Sequence, residues 1–154
     1  MSTPPITMSG LSDDTGMMGI VDPHAYESFV SRHWTLESLF THFATQMHRR
    51  TLLLWETGDE GSWTITVENS PVAAHYPIVR QAAGPSTATR GELVVVSYDT
   101  LTMAAQFPHK RVDAYKEWQG SAVDVAVGTY VCAVSQLTEP GMVRATTAQT
   151  SIYN

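Results

Sequence analysis

The sequence predicts an α+β protein, mainly an antiparallel β-sandwich with one amphipathic helix over about residues 35–50. Three observations lead to this prediction. First, apolar residues recur at helical spacing clearly in that one segment. Second, several short segments either alternate apolar and polar residues or are continuously apolar. Third, glycine-containing loops separate some of these segments. This combination is typical of a sandwich with a helix packed on it.

The helix is predicted from an apolar stripe and from its end signals. Residues three or four apart share one helix face. Thr35 is a suitable N-cap, and residues 48–50 place positive side chains at the negative end of the helix dipole. The stripe consists of Leu36, Leu39, Phe40, Phe43 and Met47.

The strands are predicted from segments rich in β-branched, aromatic and other apolar residues. Residues 83–90 are predicted to be a loop because they contain Gly84, Pro85 and small polar residues. The charged segment 109–120 fits either a helical turn or a hairpin loop. The strand candidates are Thr51–Glu56, Ser62–Glu68, Ala74–Val79, Glu92–Tyr98, Thr102–Phe107, Ala122–Val127, Thr129–Leu137 and Val143–Gln149.

We expect residues 1–19 to form a mobile leader and residues 20–154 to form a single globular domain. The leader is rich in Ser, Thr, Pro, Gly and Met, although Ile6, Met8 and Leu11 could pair as an edge strand. The chain of 154 residues with 43% hydrophobic residues is sufficient for one core. Its first residues lack a signal-peptide pattern, and its apolar runs are far shorter than the roughly 20 residues that span a bilayer. We therefore expect a cytoplasmic protein with no membrane contact.

The charge balance limits the kinds of partner. Nine Lys and Arg residues against fifteen Asp and Glu residues give a net charge of −6. A general nucleic-acid binder needs a basic surface, so this class is excluded. The acidic balance instead favours a partner with a basic surface.

The sequence contains no recognisable catalytic motif. The single cysteine, Cys132, excludes a disulfide framework and a multi-cysteine zinc site, and its apolar neighbours predict a buried strand thiol. Neither a His-Glu-x-x-His motif nor a Gly-x-Ser-x-Gly elbow is present. We therefore predict no enzymatic activity, no metal and no cofactor.

The candidate binding residues are acidic side chains in two charged segments and one tryptophan. Glu56, Asp59 and Glu60 surround a glycine-flanked hairpin loop, where acidic residues are also common simply because solvent accommodates them. The second set is Asp113, Glu117 and Trp118, in a segment whose Lys and Arg residues also fit a solvated ion-pair network. An interface of ordinary size would need an aromatic or apolar anchor inside such an acidic rim.

Two stretches of the chain carry a resemblance to known proteins. Together they resemble small bacterial β-rich proteins of toxin–immunity loci, and the second is distantly similar to the competence protein J group of nuclease inhibitors. The resemblance covers about two-thirds of the chain, roughly residues 35–137, and carries over no binding residue. It implies a protein that binds and occludes a partner without doing chemistry. The stretches are the hairpin 53–63 with the preceding helix end 43–47, and residues 91–93 and 98–107 with 128–130 and 134–137.

The sequence therefore leads to two alternative functions. The first is an immunity or inhibitor protein that occludes a cognate bacterial toxin with a basic surface, for which a nuclease is a candidate. The alternative is a small-molecule or carbohydrate-binding β-sandwich in which Trp55, Trp63 or Tyr98 lines an apolar pocket. The identity of the toxin and the oligomeric state do not follow from the sequence.

Overall fold

The computed structural model describes residues 6–13, 15–58, 61–68, 80–112, 122–136 and 145–152. Strands and helices alternate irregularly along the chain. The elements in chain order are β1 (Ile6–Asp13), β2 (Met17–Val21), α1 (Leu36–His48), β3 (Leu52–Glu56), β4 (Gly61–Glu68), β5 (Arg80–Ala88), β6 (Glu92–Ser97), α2 (Tyr98–Gln106), β7 (Ala122–Asp124), β8 (Gly128–Gln136) and β9 (Ala145–Ile152).

The strands form two sheets, which confirms the predicted α+β sandwich. The four-stranded sheet has the order β3-β2-β6-β7, and all of its pairs are antiparallel. The five-stranded sheet has the order β1-β4-β9-β8-β5. Its β4–β9 pair is parallel, with Thr64 opposite Ala145 and Glu68 opposite Gln149. The architecture is therefore mainly, but not wholly, antiparallel.

The four-stranded sheet is covered on both faces. One face packs on the other sheet through side chains such as Leu53, Trp55 and Val95. The opposite face packs on the helices through Leu52 and Val94. Strands buried on both sides must be apolar at successive positions, which accounts for the uninterrupted runs 52–55 and 93–96.

Helix α1 confirms the predicted helix, and its ends follow the predicted signals. The Thr35 hydroxyl accepts a hydrogen bond from the Ser38 N–H at 3.1 Å, and the Ser38 hydroxyl accepts one from the Thr35 N–H at 2.9 Å. The apolar stripe is only partly buried, because Leu39 and Phe43 lie in the core while Leu36 and Phe40 are 56% and 42% exposed. The predicted stripe is therefore not buried along its whole length.

Two segments differ from the predicted secondary structure. Residues 102–107, predicted as a strand, belong largely to α2, because the Ser97 hydroxyl caps the Thr100 N–H and the buried Leu101 and Ala104 follow a helical period. Most of the predicted loop 83–90 belongs to β5, which pairs along its whole length with β8. Pro85 fits there because β5 is an edge strand, where a missing N–H is tolerated.

The first nineteen residues contribute to both sheets in the structure. β1 forms an edge of the five-stranded sheet, and β2 lies inside the other. The position of β1 matches the alternative in which Ile6, Met8 and Leu11 belong to an edge strand. The expected boundary at residue 19 falls within β2. Tertiary pairing outweighs the loop-like composition of this segment. The strand candidate Ala74–Val79 lies outside the described residues.

A buried carboxylate joins three connections at one end of the central sheet. Asp22 is 1% exposed and accepts hydrogen bonds from the His24 N–H at 3.0 Å, the Thr89 N–H at 3.0 Å and the Thr89 hydroxyl at 2.8 Å. Its own N–H donates to the Thr51 carbonyl at 3.0 Å. A buried charge persists only when it is hydrogen-bonded in this way.

We predict that Asp22→Ala lowers the free energy of unfolding by about 3 kcal/mol, since it removes a buried acceptor and the three hydrogen bonds that it receives. Urea denaturation measures the change. Asp124→Ala is the matched control, because Asp124 is exposed on β7, and it should change stability by less than about 0.5 kcal/mol. Equal stability of the two variants would show that the Asp22 network does not stabilise the fold.

A second prediction concerns His42 on α1. Burial lowers the pKa of this imidazole, with Arg49 acting in the same sense and the Glu27 backbone and carboxylate opposing it. The Nε2 atom is buried without a hydrogen-bond partner among the described residues. The unfolded chain therefore takes up a proton more readily than the folded chain when the pH falls.

The stability contributed by neutral His42 is complete well above pH 6.5, the pKa of the unfolded chain, and is lost as the pH falls from there through the lower pKa of the folded chain. We expect His42→Gln to lose less stability than the parent between pH 7.5 and 5, measured by urea denaturation at each pH. His33→Gln is the control, because His33 is exposed. An unchanged pH profile in His42→Gln would contradict the assignment.

Candidate partner-binding surface

Three elements begin or end at the same end of the four-stranded sheet. Met18 of β2 pairs with Trp55 on one side and Ser97 on the other, so β3 ends and α2 begins at this end. A short connection, residues 49–51, reverses the chain between α1 and β3. Because α1 has 13 residues and spans about 20 Å, its first turn returns to the same end.

This end of the sandwich carries exposed carboxylates. Glu56 is exposed at the end of β3, Asp99 is exposed in the first turn of α2, and Glu37 is exposed in the first turn of α1. Both helical acids also lie at the positive end of a helix dipole, where a carboxylate is favourable. We call the surface formed by Glu37, Glu56 and Asp99 the acidic end.

The base of the hairpin after β3 is fixed by backbone contacts. Thr57 is fully buried, and its N–H donates to the Gly16 carbonyl at 2.7 Å. Gly58 has a φ of 92°, and a β-carbon at this position would collide with the Arg80 guanidinium. Glycine is therefore favoured here by its backbone conformation, whereas the Arg80 guanidinium ends a flexible side chain that can shift.

The structure locates one of the six predicted contact residues. Glu56 lies at the acidic end, as the hairpin hypothesis requires. Asp59 and Glu60 follow Gly58 directly in the chain but lie outside the described residues, and so does the second set, Asp113, Glu117 and Trp118. For all six residues the contact role stays a prediction.

The structure adds two apolar residues of the predicted stripe that were not among the predicted contact residues. Leu36 and Phe40 are exposed on α1, one turn apart and on either side of Glu37 and Ser38. The Phe40 ring lies 6.2 Å from the ring of the buried Phe43. Phe40 lies at one edge of the stripe and Leu36 is the first residue of the helix, and the width of the stripe is the sequence signal that could have indicated Phe40.

Two of the three aromatic residues of the ligand-pocket alternative, Trp55 and Tyr98, pack against different core clusters. Trp55 is 6% exposed and belongs to the core between the sheets. Tyr98 packs against Phe43, with ring centroids 6.2 Å apart. Trp63 lies on β4 in register with Leu11, and nothing further is described for its side chain.

Cys132 is buried in the core, as its neighbours predict. Burial raises the pKa of its thiol, although a hydrogen bond with Ser86 acts in the opposite sense. A protonated thiol in this environment behaves as a small apolar side chain. Within the described ranges, no group of three His, Cys, Asp or Glu residues is placed to hold a metal ion.

None of the helices in the described part of the chain is long and apolar enough to cross a membrane. No family model and no curated protein sequence matches the chain.

Two solved structures share the fold over nearly the full length. The protein of crocagin biosynthetic gene J has a TM-score of 0.62 and 12% identity, covering 99% of this chain and 100% of the other. ComJ from Bacillus subtilis, an inhibitor of the DNA degrading activity of NucA, has a TM-score of 0.57 and 9% identity, covering 99% and 98%. The likeness to the competence protein J group is thus confirmed at the level of the fold.

Proposed function

We propose that this protein is an immunity-type inhibitor that binds and occludes a cognate bacterial toxin, with a nuclease as the candidate class of toxin. The observation that carries the proposal is the fold likeness to the inhibitor ComJ over 99% of the chain. A fold hosts several functions, so the surface of this chain must support the proposal as well. The other neighbour, from a biosynthetic gene, does not bear on toxin immunity.

Charge at the acidic end supports a basic partner. Glu56 and Asp99 lie at the end where the hairpin begins, and Asp59 and Glu60 follow in that loop. Enzymes that act on nucleic acids carry basic surfaces to meet phosphates. An acidic surface on the inhibitor would accelerate encounter with such an enzyme and would select it from other proteins.

Exposed apolar side chains at the same end supply the apolar anchor that an interface needs in addition to complementary charge. Leu36 and Phe40 flank the acidic Glu37 on α1, so apolar and acidic groups alternate on one helix face. Binding energy in protein interfaces concentrates in a few such residues, which are surrounded by polar groups that exclude water. The helix is held by its capping box and by Phe43 in the core, so binding would require little rearrangement.

We expect the purified chain to inhibit the toxin encoded beside its gene with a 1:1 end point, measured by titration of the toxin's DNA degradation. The triple variant Glu56→Lys, Asp59→Lys, Glu60→Lys should associate at least tenfold more slowly at low salt, because attraction becomes repulsion. The difference should shrink as salt screens the charges.

The matched control for the triple variant is Asp124→Lys, which reverses an exposed charge on β7 at the opposite end of the sheet. Its association rate should remain close to that of the parent. If the parent leaves toxin activity unchanged at tenfold excess, the inhibitor proposal is wrong. If the parent inhibits but the triple variant does so equally well, only the location of the contact is wrong.

A further prediction concerns the apolar anchor. Phe40→Ala should weaken toxin binding about 30-fold or more, as expected for an interface residue that contributes about 2 kcal/mol. Calorimetric titration measures the affinity, and thermal unfolding checks that the half-exposed ring is not required for folding. Val127→Ala is the control, because Val127 is 70% exposed on the β7–β8 connection. Equal affinity of Phe40→Ala and the parent would exclude α1 from the interface.

A further inference from the structure

A cleft lies at the other end of the sandwich from the acidic end. Residues 24–29, which follow β2, form one wall, and residues 108–111, which follow α2, form the other. The cleft has a volume of about 460 Å³, within the range that holds a small molecule in proteins. We call it the basic cleft, since Lys110 and Arg111 both line it.

Buried hydrogen bonds hold both walls of the basic cleft in place. At the start of the first wall, the Tyr26 N–H donates to the Asp22 carbonyl at 2.9 Å. The middle is held by the Gln46 side-chain oxygen, which accepts from the Glu27 N–H at 3.2 Å. Beyond it, the Val30 N–H donates to the Ala105 carbonyl of α2 at 2.9 Å. The cleft is therefore preformed, which lowers the entropic cost of binding.

The second wall is a tight turn. The Lys110 N–H donates to the Phe107 carbonyl at 3.1 Å, which closes the turn around Pro108. This geometry presents Lys110 and Arg111 next to each other on the cleft. Proline at the second turn position favours this conformation before any ligand arrives.

One carboxylate lines the cleft, and a second lies beside its first wall. The Glu27 carboxylate, in the lining, lies 3.0 Å from the Arg49 guanidinium, and the Glu92 carboxylate lies 3.5 Å from the His24 imidazole. Among the described residues, no carboxylate forms an ion pair with Arg111. The described lining therefore combines Lys110 and Arg111 with one carboxylate, which is paired with Arg49.

Tyr26 ties the first wall of the basic cleft to the core. It is one of the residues that line the cleft, but its side chain is only 5% exposed and packs in the core between the sheet and the helices, with its ring centroid 5.8 Å from that of His42. A buried aromatic side chain therefore anchors this wall.

We propose that the basic cleft binds a small ligand through an oxyanion, a carboxylate or a phosphate. Arg111 and Lys110 supply the positive charge and the charge-assisted hydrogen bonds to the anion oxygens. Phe29, which is 41% exposed, and Pro108 provide apolar contact for the rest of the ligand. This site is separate from the acidic end and does not depend on the inhibitor function.

The test is an NMR titration of the full chain with inorganic phosphate and, in a second arm, with succinate, both at constant ionic strength. We expect saturable amide shifts confined to residues 24–31 and 107–112. Arg111→Gln should weaken binding about tenfold or more, since a charge-assisted hydrogen bond is lost. Arg90→Gln removes the same charge at an exposed arginine that does not line the cleft, and it should bind like the parent.

Thermal unfolding of Arg111→Gln separates binding from folding. Arg111 is exposed, so the variant should keep the melting temperature of the parent while it loses affinity for the anion. Response to phosphate alone would indicate a phosphorylated ligand, response to succinate alone a carboxylate ligand, and response to both a general oxyanion site. The proposal is overturned if neither anion gives saturable shifts, or if Arg90→Gln weakens binding as much as Arg111→Gln.

Discussion

Burial of the four-stranded sheet on both faces is the constraint on which the rest of the structure depends. Leu53 and Trp55 must find partners on the five-stranded sheet, and Leu52 must find them on the helices. The helix layer and the second sheet are therefore both obligatory, because an uncovered face would expose a continuous apolar surface. The same covering places the ends of β3, α1 and α2 relative to one another and so builds both candidate sites.

Elements whose local and tertiary signals agree were predictable from the sequence. Helix α1 has a capping residue, an apolar stripe and a basic last turn, and β3 and β6 contain apolar runs that suit only a doubly covered sheet. Helix α2 was missed because its short apolar period also fits a strand. Strand β5 was missed because its stability comes from pairing with β8, while Gly84 and Pro85 locally favour a loop.

The candidate sites were less predictable, because they depend on which side chains tertiary packing leaves uncovered. Periodicity placed Leu36 and Phe40 with Phe43, and only the position of the sheet separates the buried residue from the exposed ones. The basic cleft brings together residues that are far apart in the chain, such as Tyr26 and Arg111, so no local sequence pattern predicts it. The exposed Glu56 could be predicted, because a hairpin loop between two strands reaches solvent in nearly any sandwich.

The opposite charges of the two ends can act independently although the net charge is −6. The ends are separated by the length of the central strands, five or six residues in β3 and β6, which is about 20 Å. At physiological ionic strength the field of an exposed charge decays within about 8 Å. An anion near Arg111 is therefore little affected by the carboxylates of the acidic end, and a basic protein near Glu56 is little affected by Lys110 and Arg111. The sandwich thus separates two surfaces of different charge, although the net charge of the chain has only one sign.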